Sequence, residues 1–267
     1  MNKIKFVINE HIENIYKIWR LALYDFIAPL RDTYLGPVWM ILGPLLQILV
    51  YWIVFGTGIR QGRPVNGHPF LLWMLAGLVP WFYISGGITG GATCIYNKST
   101  LLTKMKFPVS IIPTYTTLTK LISNLPVLLI LLILYAFNGY KISIHIIQIP
   151  YYIFAATILI IATTMVSSAL VMAVRDINRV IGTIIRFLFY FTPILWVPKN
   201  LPHAFDLFIK LSPFTYIVDG FRDSLLYKQW FFINIKETIW FWIITLVILI
   251  IGVNIHMKFR DKFADML

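Results

Sequence analysis

Long apolar segments limit what this chain can fold into more than any other feature. Two of them contain the uncharged runs LPVLLILLILYAF and IPYYIFAATILIIATTMV. A helix needs about 20 mostly apolar residues to cross the hydrocarbon core of a bilayer. By that measure we predict an all-α, polytopic membrane protein with six transmembrane helices. The predicted spans are 34–57, 69–95, 110–137, 146–174, 180–197 and 236–256.

The composition agrees with a membrane protein. Of the 267 residues, 59% are hydrophobic and 13% are charged, and the mean hydropathy is +0.78. Soluble domains carry about 25% charged residues. The net charge of +12 would suit nucleic acid. Because the cations cluster beside the apolar segments, we expect the lipid bilayer as partner and no nucleic acid.

The positions of the cations predict the orientation. Lysine and arginine favour the cytoplasmic side of a membrane protein. With both termini on that side, fourteen of the 23 lysine and arginine residues lie there, eight lie outside, and Lys120 lies within the third span. We therefore predict a multi-pass protein with cytoplasmic N- and C-termini. The first twenty residues are too polar for the apolar region of a signal peptide, so no cleaved leader is expected.

The N-terminal segment, residues 1–30, has the pattern of an amphipathic helix. Its apolar residues recur every three or four positions. They are Ile4, Ile8, Ile12, Ile15, Trp19, Ala22 and Phe26. Such a helix is typical of the cytoplasmic membrane interface, and packing on a soluble partner is the alternative.

The segment Tyr190–Tyr227 fits neither a span nor a solvent-exposed loop. Prolines break it at positions 193, 198, 202 and 213, yet it is rich in aromatic residues. Irregular backbone at membrane depth is tolerated only where it is buried in protein or lines a wet cavity. We therefore predict an extracellular re-entrant helical hairpin between spans five and six, and the first place to look for a substrate route.

Several kinds of chemistry have no sequence signature here. The chain has no G-x-x-x-x-G-K-[ST], H-E-x-x-H or G-x-S-x-G motif, its five histidines are scattered, and Cys94 is its single cysteine. Proton-coupled transporters place carboxylates inside their spans, and these spans hold almost none. We expect no catalytic residue, no metal site and no cofactor bound by this chain, with the energy supplied by a partner that hydrolyses ATP.

A basic loop joins the second and third spans. It reads YNKSTLLTKMKFPVSIIP and predicts a short helix over Ser99–Lys106, closed by Phe107 and Pro108. A compact helix at this place suits a groove on a cytosolic partner. The alternative is a solvated basic loop that only follows the distribution of cations.

Five stretches in order carry a family resemblance. They are TYLGPVWMILGPLLQ (33–47), LTKMKFPVSIIP (102–113), AVRDINRV (173–180), FTPILWVPKNLP (191–202) and LSPFTYIVDGFRDSLL (211–226). Together they resemble the permease subunit of polysaccharide-exporting ABC-2-type transporters, most of all those that export wall teichoic acid in Gram-positive bacteria. Exporters of O-antigen and capsule are near relatives. The resemblance covers essentially the whole chain.

The resemblance implies an architecture like that of type V ABC exporters. One transmembrane domain would cover residues 1–267, with a six-span bundle over 34–257 and extracellular gate helices over 198–228. The permease would form a homodimer in the bacterial plasma membrane, above two copies of a separate cytoplasmic ATPase that binds ATP and Mg²⁺. The N-terminal helix and the Ser99–Phe107 loop would contact that ATPase.

The resemblance and the residue pattern together give candidate site residues. Those for ATPase coupling are Lys98, Leu101, Leu102, Lys104, Lys106 and Phe107. Those for the conduit lining are Tyr51, Trp52, Phe55, Phe187, Tyr190 and Phe191. Those for the charged cytoplasmic entrance are Arg175, Asp176, Arg179 and Arg186. Those for the gate helices are Phe205, Phe208, Phe214, Tyr216, Phe221 and Arg222.

Each candidate has an alternative structural interpretation. Aromatic side chains also concentrate at membrane interfaces without lining anything. Asp176 and Arg179 are three residues apart and are expected to pair on one helix face. Arg186 either snorkels or faces a polar cavity, where it would meet the pyrophosphate of a lipid carrier. Lys120, on a stripe with Thr116, Ser123 and Asn124, is interpreted as interhelical packing rather than conduit.

The expected function is that of a non-catalytic permease in cell wall biogenesis. It would move an undecaprenyl-diphosphate-linked glycopolymer, foremost wall teichoic acid, from the cytoplasm to the cell exterior. Export of O-antigen or capsular polysaccharide is the first alternative, and an ABC-2 drug or small-lipid exporter is the second. An intramembrane transferase for lipid-linked sugars is the third, and it would require an active role for Asp219, Asp223 or His203.

Overall fold

The computed structural model describes residues 3–31, 34–99, 107–140, 143–198 and 201–260. These residues form helices and no strand, which confirms the all-α prediction for them. The helices are α1 Lys3–Glu13, α2 Ile15–Arg31, α3 Val38–Tyr51, α4 Phe70–Ala92, α5 Cys94–Asn97, α6 Ile112–Phe137, α7 Ile149–Ala173, α8 Ile177–Phe191, α9 His203–Leu211, α10 Pro213–Arg222 and α11 Ile235–Phe259. Wider π-helical turns continue α3 over Trp52–Ile59 and α10 over Asp223–Tyr227.

Five helical segments of the described chain are long and apolar enough to cross a bilayer. They are Val38–Ile59, Phe70–Ala92, Val109–Phe137, Ile144–Ala173 and Ile235–Phe259. Their ends agree with five of the six predicted spans to within about one turn of helix. The remaining predicted span, 180–197, corresponds to α8, which has 15 residues and ends two residues before Pro193. The six-span count therefore stays a prediction.

Helix α4 lies at the centre of the bundle, and α3 lies at its edge. The most apolar part of the α4 span is 78% buried, whereas that of the α3 span is 6% buried. Close packing of α4 on α7 depends on glycine, since a methyl group at Gly91 would overlap the side chain of Thr164 and one at Gly87 would meet Ile160. Because α3 is apolar yet barely covered, most of its surface is left for lipid or for another chain.

The N-terminal segment forms two helices, not the single helix predicted. The break falls at Asn14, whose side-chain amide donates to the carbonyl of Glu10 at 2.8 Å. The predicted isoleucine stripe is exposed, and the buried face carries Val7, Glu10, Asn14, Ile18 and Ala22. The reason is a long-range contact, since Arg260 after α11 donates to the Glu10 carboxylate at 2.9 Å and turns that face inward.

The two helices expected after the fifth predicted span are present. Helix α9 starts directly after Pro202, and α10 starts with Pro213, the position where proline suits a helix because its missing N–H has no intrahelical partner. Helix α10 packs between α4 and α7, while α9 packs on α10 and α11. The depth of this pair in the bilayer stays a prediction.

Candidate permeation face

Aromatic rings connect α3 to α8. The ring of Tyr51 on α3 stacks on Phe189 of α8 with 5.3 Å between centroids, and Phe55 meets Tyr51 at 6.5 Å. Phe189 is buried and also contacts Trp81 of α4 at 5.8 Å. The sequence interpretation missed Phe189 and Trp81. The run FLFYF at residues 187–191 indicated an aromatic end of the helix, but it did not indicate that Phe189 is the ring that turns inward.

One face of α8 is apolar and uncovered by the described residues. It carries Val180, Ile184, Phe187 and Phe191, spaced three or four residues apart, with Tyr190 beside them. Phe187 is 61% exposed and Tyr190 is 64% exposed. We call Tyr51, Phe187, Tyr190 and Phe191 the aromatic face. The structure brings these four predicted conduit residues to the α3–α8 side of the bundle.

Trp52, also predicted to line the conduit, lies in a different environment. Its side chain borders an apolar groove of about 380 Å³ between α3, α4 and α6. Leu49, Leu75 and Leu131 line the same groove. This groove has almost no polar surface, so it suits hydrocarbon better than a sugar chain.

The predicted gate residues divide into two groups. Phe205 and Phe208 of α9 contact Phe191 at 5.7 and 6.2 Å, and thus extend the aromatic face away from α8. Phe214 of α10 meets Trp81 at 6.0 Å. The second group is structural, because Tyr216 stacks on Phe241 of α11 at 4.7 Å and Phe221 is buried.

Arg222 anchors α10 to two neighbouring parts of the bundle. Its guanidinium donates to Asp219 Oδ1 and to the carbonyl of Ile194, both at 3.0 Å. It also lies 3.6 Å from the ring centroid of Trp73 on α4. Only 2% of the residue is exposed. This cation thus joins α10 to α4 and to the turn that follows α8.

The exposed side of α9 carries an ion pair. Lys210 donates to Asp206 Oδ2 at 2.8 Å, one helical turn away. The hydrogen bond to this carboxylate raises the pKa of the lysine above its usual value. The pair is solvated and contributes little to stability.

Three of the predicted entrance residues, Arg175, Asp176 and Arg179, lie at the start of α8, whereas Arg186 lies next to Phe187 in the second half of that helix. The expected pair forms, with 3.4 Å between Arg179 and Asp176, and both side chains are exposed. Arg175 lies over the ring of Tyr96 at 4.8 Å. Arg186 folds back on its own helix and donates to the carbonyl of Gly182 at 3.2 Å. These cations border the uncovered side of α8 without meeting one another.

The predicted coupling residues lie only in part within the described chain. Lys98 donates to Asp25 of α2 at 2.8 Å, a partner that the sequence interpretation missed. Phe107 is half-buried in a cluster with Ile18 and Tyr115. Leu101, Leu102, Lys104 and Lys106 lie outside the described residues, as does most of the helix expected over Ser99–Lys106. The start of this loop is thus joined to α2.

The fold and this face are those of a multi-pass helical membrane protein. Within the described ranges, no group of three histidine, cysteine or acidic side chains is placed to hold a metal ion. A profile of the ABC-2 type transporter family matches residues 16–226. The chain therefore belongs to the ABC-2 type transporter family, which confirms the resemblance at the level of the family.

Curated relatives extend the comparison over most of the chain. The chain is 28% identical over 214 residues to the O-antigen export system permease protein RfbA of Myxococcus xanthus. This alignment covers 78% of this chain and 79% of the relative. Two RfbA proteins of Klebsiella pneumoniae are 23% and 25% identical, and each alignment covers 91% of this chain and 92% of the relative. None of these three carries a name linked to teichoic acid.

Proposed function

We propose that this chain is the membrane subunit of an ATP-driven exporter of a lipid-linked polysaccharide of the O-antigen kind. The observation that carries the proposal is the agreement of three relatives, each aligned over more than three quarters of the chain and each named as an O-antigen export permease. Membership of the ABC-2 family supports a permease that depends on a separate ATPase. On this proposal the chain itself is not catalytic.

The aromatic face is proposed as the wall of the conduit. Sugar rings pack on aromatic side chains through their apolar faces, and several weak contacts of this kind let a repeating chain slide. Phe187 and Tyr190 are exposed on α8, and the neighbouring α3 is almost uncovered. A second copy of the chain facing this side would enclose the face and complete a homodimeric permease. The α9–α10 pair would then close its outer end.

The sequence alone favoured wall teichoic acid as the cargo. We now propose O-antigen polysaccharide instead. The relatives support export of a polysaccharide and offer nothing in favour of a polyol phosphate. Of the three residues that the transferase alternative would need, Asp219 forms an ion pair with Arg222 at 3.0 Å and is not a free acid.

Deletion of the gene for this chain in its native bacterium tests the proposed function. We expect lipid-linked polysaccharide to accumulate at the cytoplasmic side and to vanish from the cell surface, with recovery on re-expression. Immunoblots of surface and total polymer measure both pools, and the phosphorus content of the retained polymer separates polysaccharide from teichoic acid. Normal surface polymer in the deletion strain would refute the proposal.

Removing the exposed aromatic rings should slow export without unfolding the chain. For the double variant Phe187→Ala/Tyr190→Ala we expect about thirtyfold less surface polymer, since each ring contributes about 1 kcal/mol of contact. Both rings are mostly exposed, so the thermal stability of the purified protein should change little. Phe137→Ala is the matched control, because this ring at the end of α6 is 85% exposed and lies off the aromatic face. Equal export by both variants would count against the conduit.

A further inference from the structure

A second cavity, lined in part by polar side chains, lies at the end of the bundle that holds α1 and α2. It has a volume of about 460 Å³, which falls in the range of small-ligand sites. Helices α2, α4 and α6 and the short α5 form its walls. Its polar side chains include Tyr24, Asp25, Asn97, Lys98, Thr116 and Lys120. This cavity shares no lining residue with the aromatic face, and one of its residues, Lys98, is a predicted coupling residue.

The charges in this cavity leave one cation uncompensated. Asp25 is paired with Lys98 at 2.8 Å. Lys120 makes no hydrogen bond or ion pair with any residue that the structure describes. It lies within the span Val109–Phe137, where a charged side chain is costly unless it has a partner or faces water. A cation in this setting, beside a cavity with a net positive charge, favours an anionic ligand.

The end of the Lys120 side chain lies against α4 at Gly90. A Cβ atom at Gly90 would lie 2.9 Å from Cε of Lys120, so the absence of a side chain at Gly90 gives the lysine its path. In α6 side chains tilt toward the helix N-terminus, which is the end predicted to face the cytoplasm. The Cα atom of Lys120 lies eight residues, about 12 Å, along α6 from Ile112, and its side chain tilts back toward that end. The hydroxyl of Tyr24 likewise makes no hydrogen bond among the described residues.

We infer that this cavity binds the phosphate headgroup of a membrane lipid, with Lys120 as its counter-charge. An ammonium pairs well with a phosphate oxygen, and hydroxyl and amide groups nearby suit the remaining oxygens. The inference extends the proposed function, because a polyprenyl carrier of a polysaccharide ends in phosphate. The expected ligand is such a carrier held in the cytoplasmic leaflet before export. An ordinary anionic phospholipid presents the same chemistry and is the other possible source.

Lipid binding to the full-length chain in neutral phosphatidylcholine nanodiscs tests the site. The probe is radiolabelled undecaprenyl phosphate, and undecaprenol, which has no phosphate, should bind far more weakly. Lys120→Met should weaken retention of the probe about tenfold or more, as the loss of one charge-assisted hydrogen bond predicts. Lys17→Met is the matched control, because Lys17 on α2 lies outside the cavity, and it should bind as the wild type does.

A second variant keeps the charge and moves it. Gly90→Ala places a methyl group where the side chain of Lys120 now runs, and it should also weaken binding, even if Lys120→Met does not fold. Wild-type retention in both variants, or equal binding of undecaprenol, would overturn the site. Competition by phosphatidylglycerol as strong as that by unlabelled undecaprenyl phosphate would keep the phosphate site and overturn the carrier as its ligand.

This assay is independent of export. It needs neither an ATPase nor a polymer, so phosphate binding that depends on Lys120 in a chain that exports no polysaccharide would leave the site standing while the proposed function failed. If the chain exports polysaccharide but binds no lipid phosphate, the proposed function stands and the phosphate site is wrong.

Discussion

Arg222→Met should destabilise the protein by about 3 kcal/mol, the range expected when a buried ion pair loses one partner. The change removes the guanidinium that bonds to Asp219 and to the carbonyl of Ile194, and it removes the cation over the Trp73 ring. Methionine fills part of the space but leaves the carbonyl unsatisfied. Because Asp219 is half-exposed, water recovers part of the loss on that side. Thermal unfolding of the purified chain in detergent measures the effect.

Arg179→Met provides the control for this result. It removes the same kind of pair, Arg with Asp at a separation of three residues, but both side chains are more than 80% exposed. An exposed pair is worth about 0–1 kcal/mol, so the unfolding temperature should hardly move. A similar loss in both variants would mean that Arg222 does not anchor α10.

Gly220→Ala should cost about 2 kcal/mol, since forced overpacking of a filled core is destabilising by that order. A methyl group at Gly220 on α10 would overlap the ring of Tyr152 on α7. That ring is buried and already packs against Tyr216 and Phe221, so it has nowhere to move. Denaturation of the variant and the wild type under the same conditions gives the difference.

Gly182→Ala should not destabilise the protein, in contrast to Gly220→Ala. Gly182 lies in α8, and a methyl group there meets no atom within 4 Å. Alanine is favoured over glycine in a helix by about 1 kcal/mol, so this variant should be as stable as the wild type or more so. If Gly220→Ala also proved neutral, the close contact of α10 with α7 would be wrong.

The positions of five spans followed from the sequence because length and hydropathy decide them locally. Apolar runs of about 20 residues have one stable solution in a bilayer, and prolines at 202 and 213 fixed the starts of α9 and α10. The pairing of Asp176 with Arg179 was equally local, since residues three apart share a helix face. Such features depend on near neighbours in the chain.

The features that the sequence could not supply depend on distant partners. The inward turn of Glu10 on α1 depends on Arg260, 250 residues away. The burial of Phe189 instead of Tyr190 depends on the rotation of α8 against α3, which no periodicity specifies. Lys120 was interpreted as packing because its stripe of polar residues said nothing of the cavity beside it. Its setting became visible only with α2 and α4 in place.

Photocrosslinking from α8 tests the passage of polymer along the aromatic face most directly. A photoreactive phenylalanine analogue at Tyr190 in the assembled transporter should capture the polysaccharide during ATP-driven export, and the product should appear as a ladder of crosslinked chains on a gel. The same analogue at Phe137, which is exposed but lies off the aromatic face, should capture none. A ladder from Phe137 with none from Tyr190, or no ladder from either position in an exporting transporter, would contradict the account.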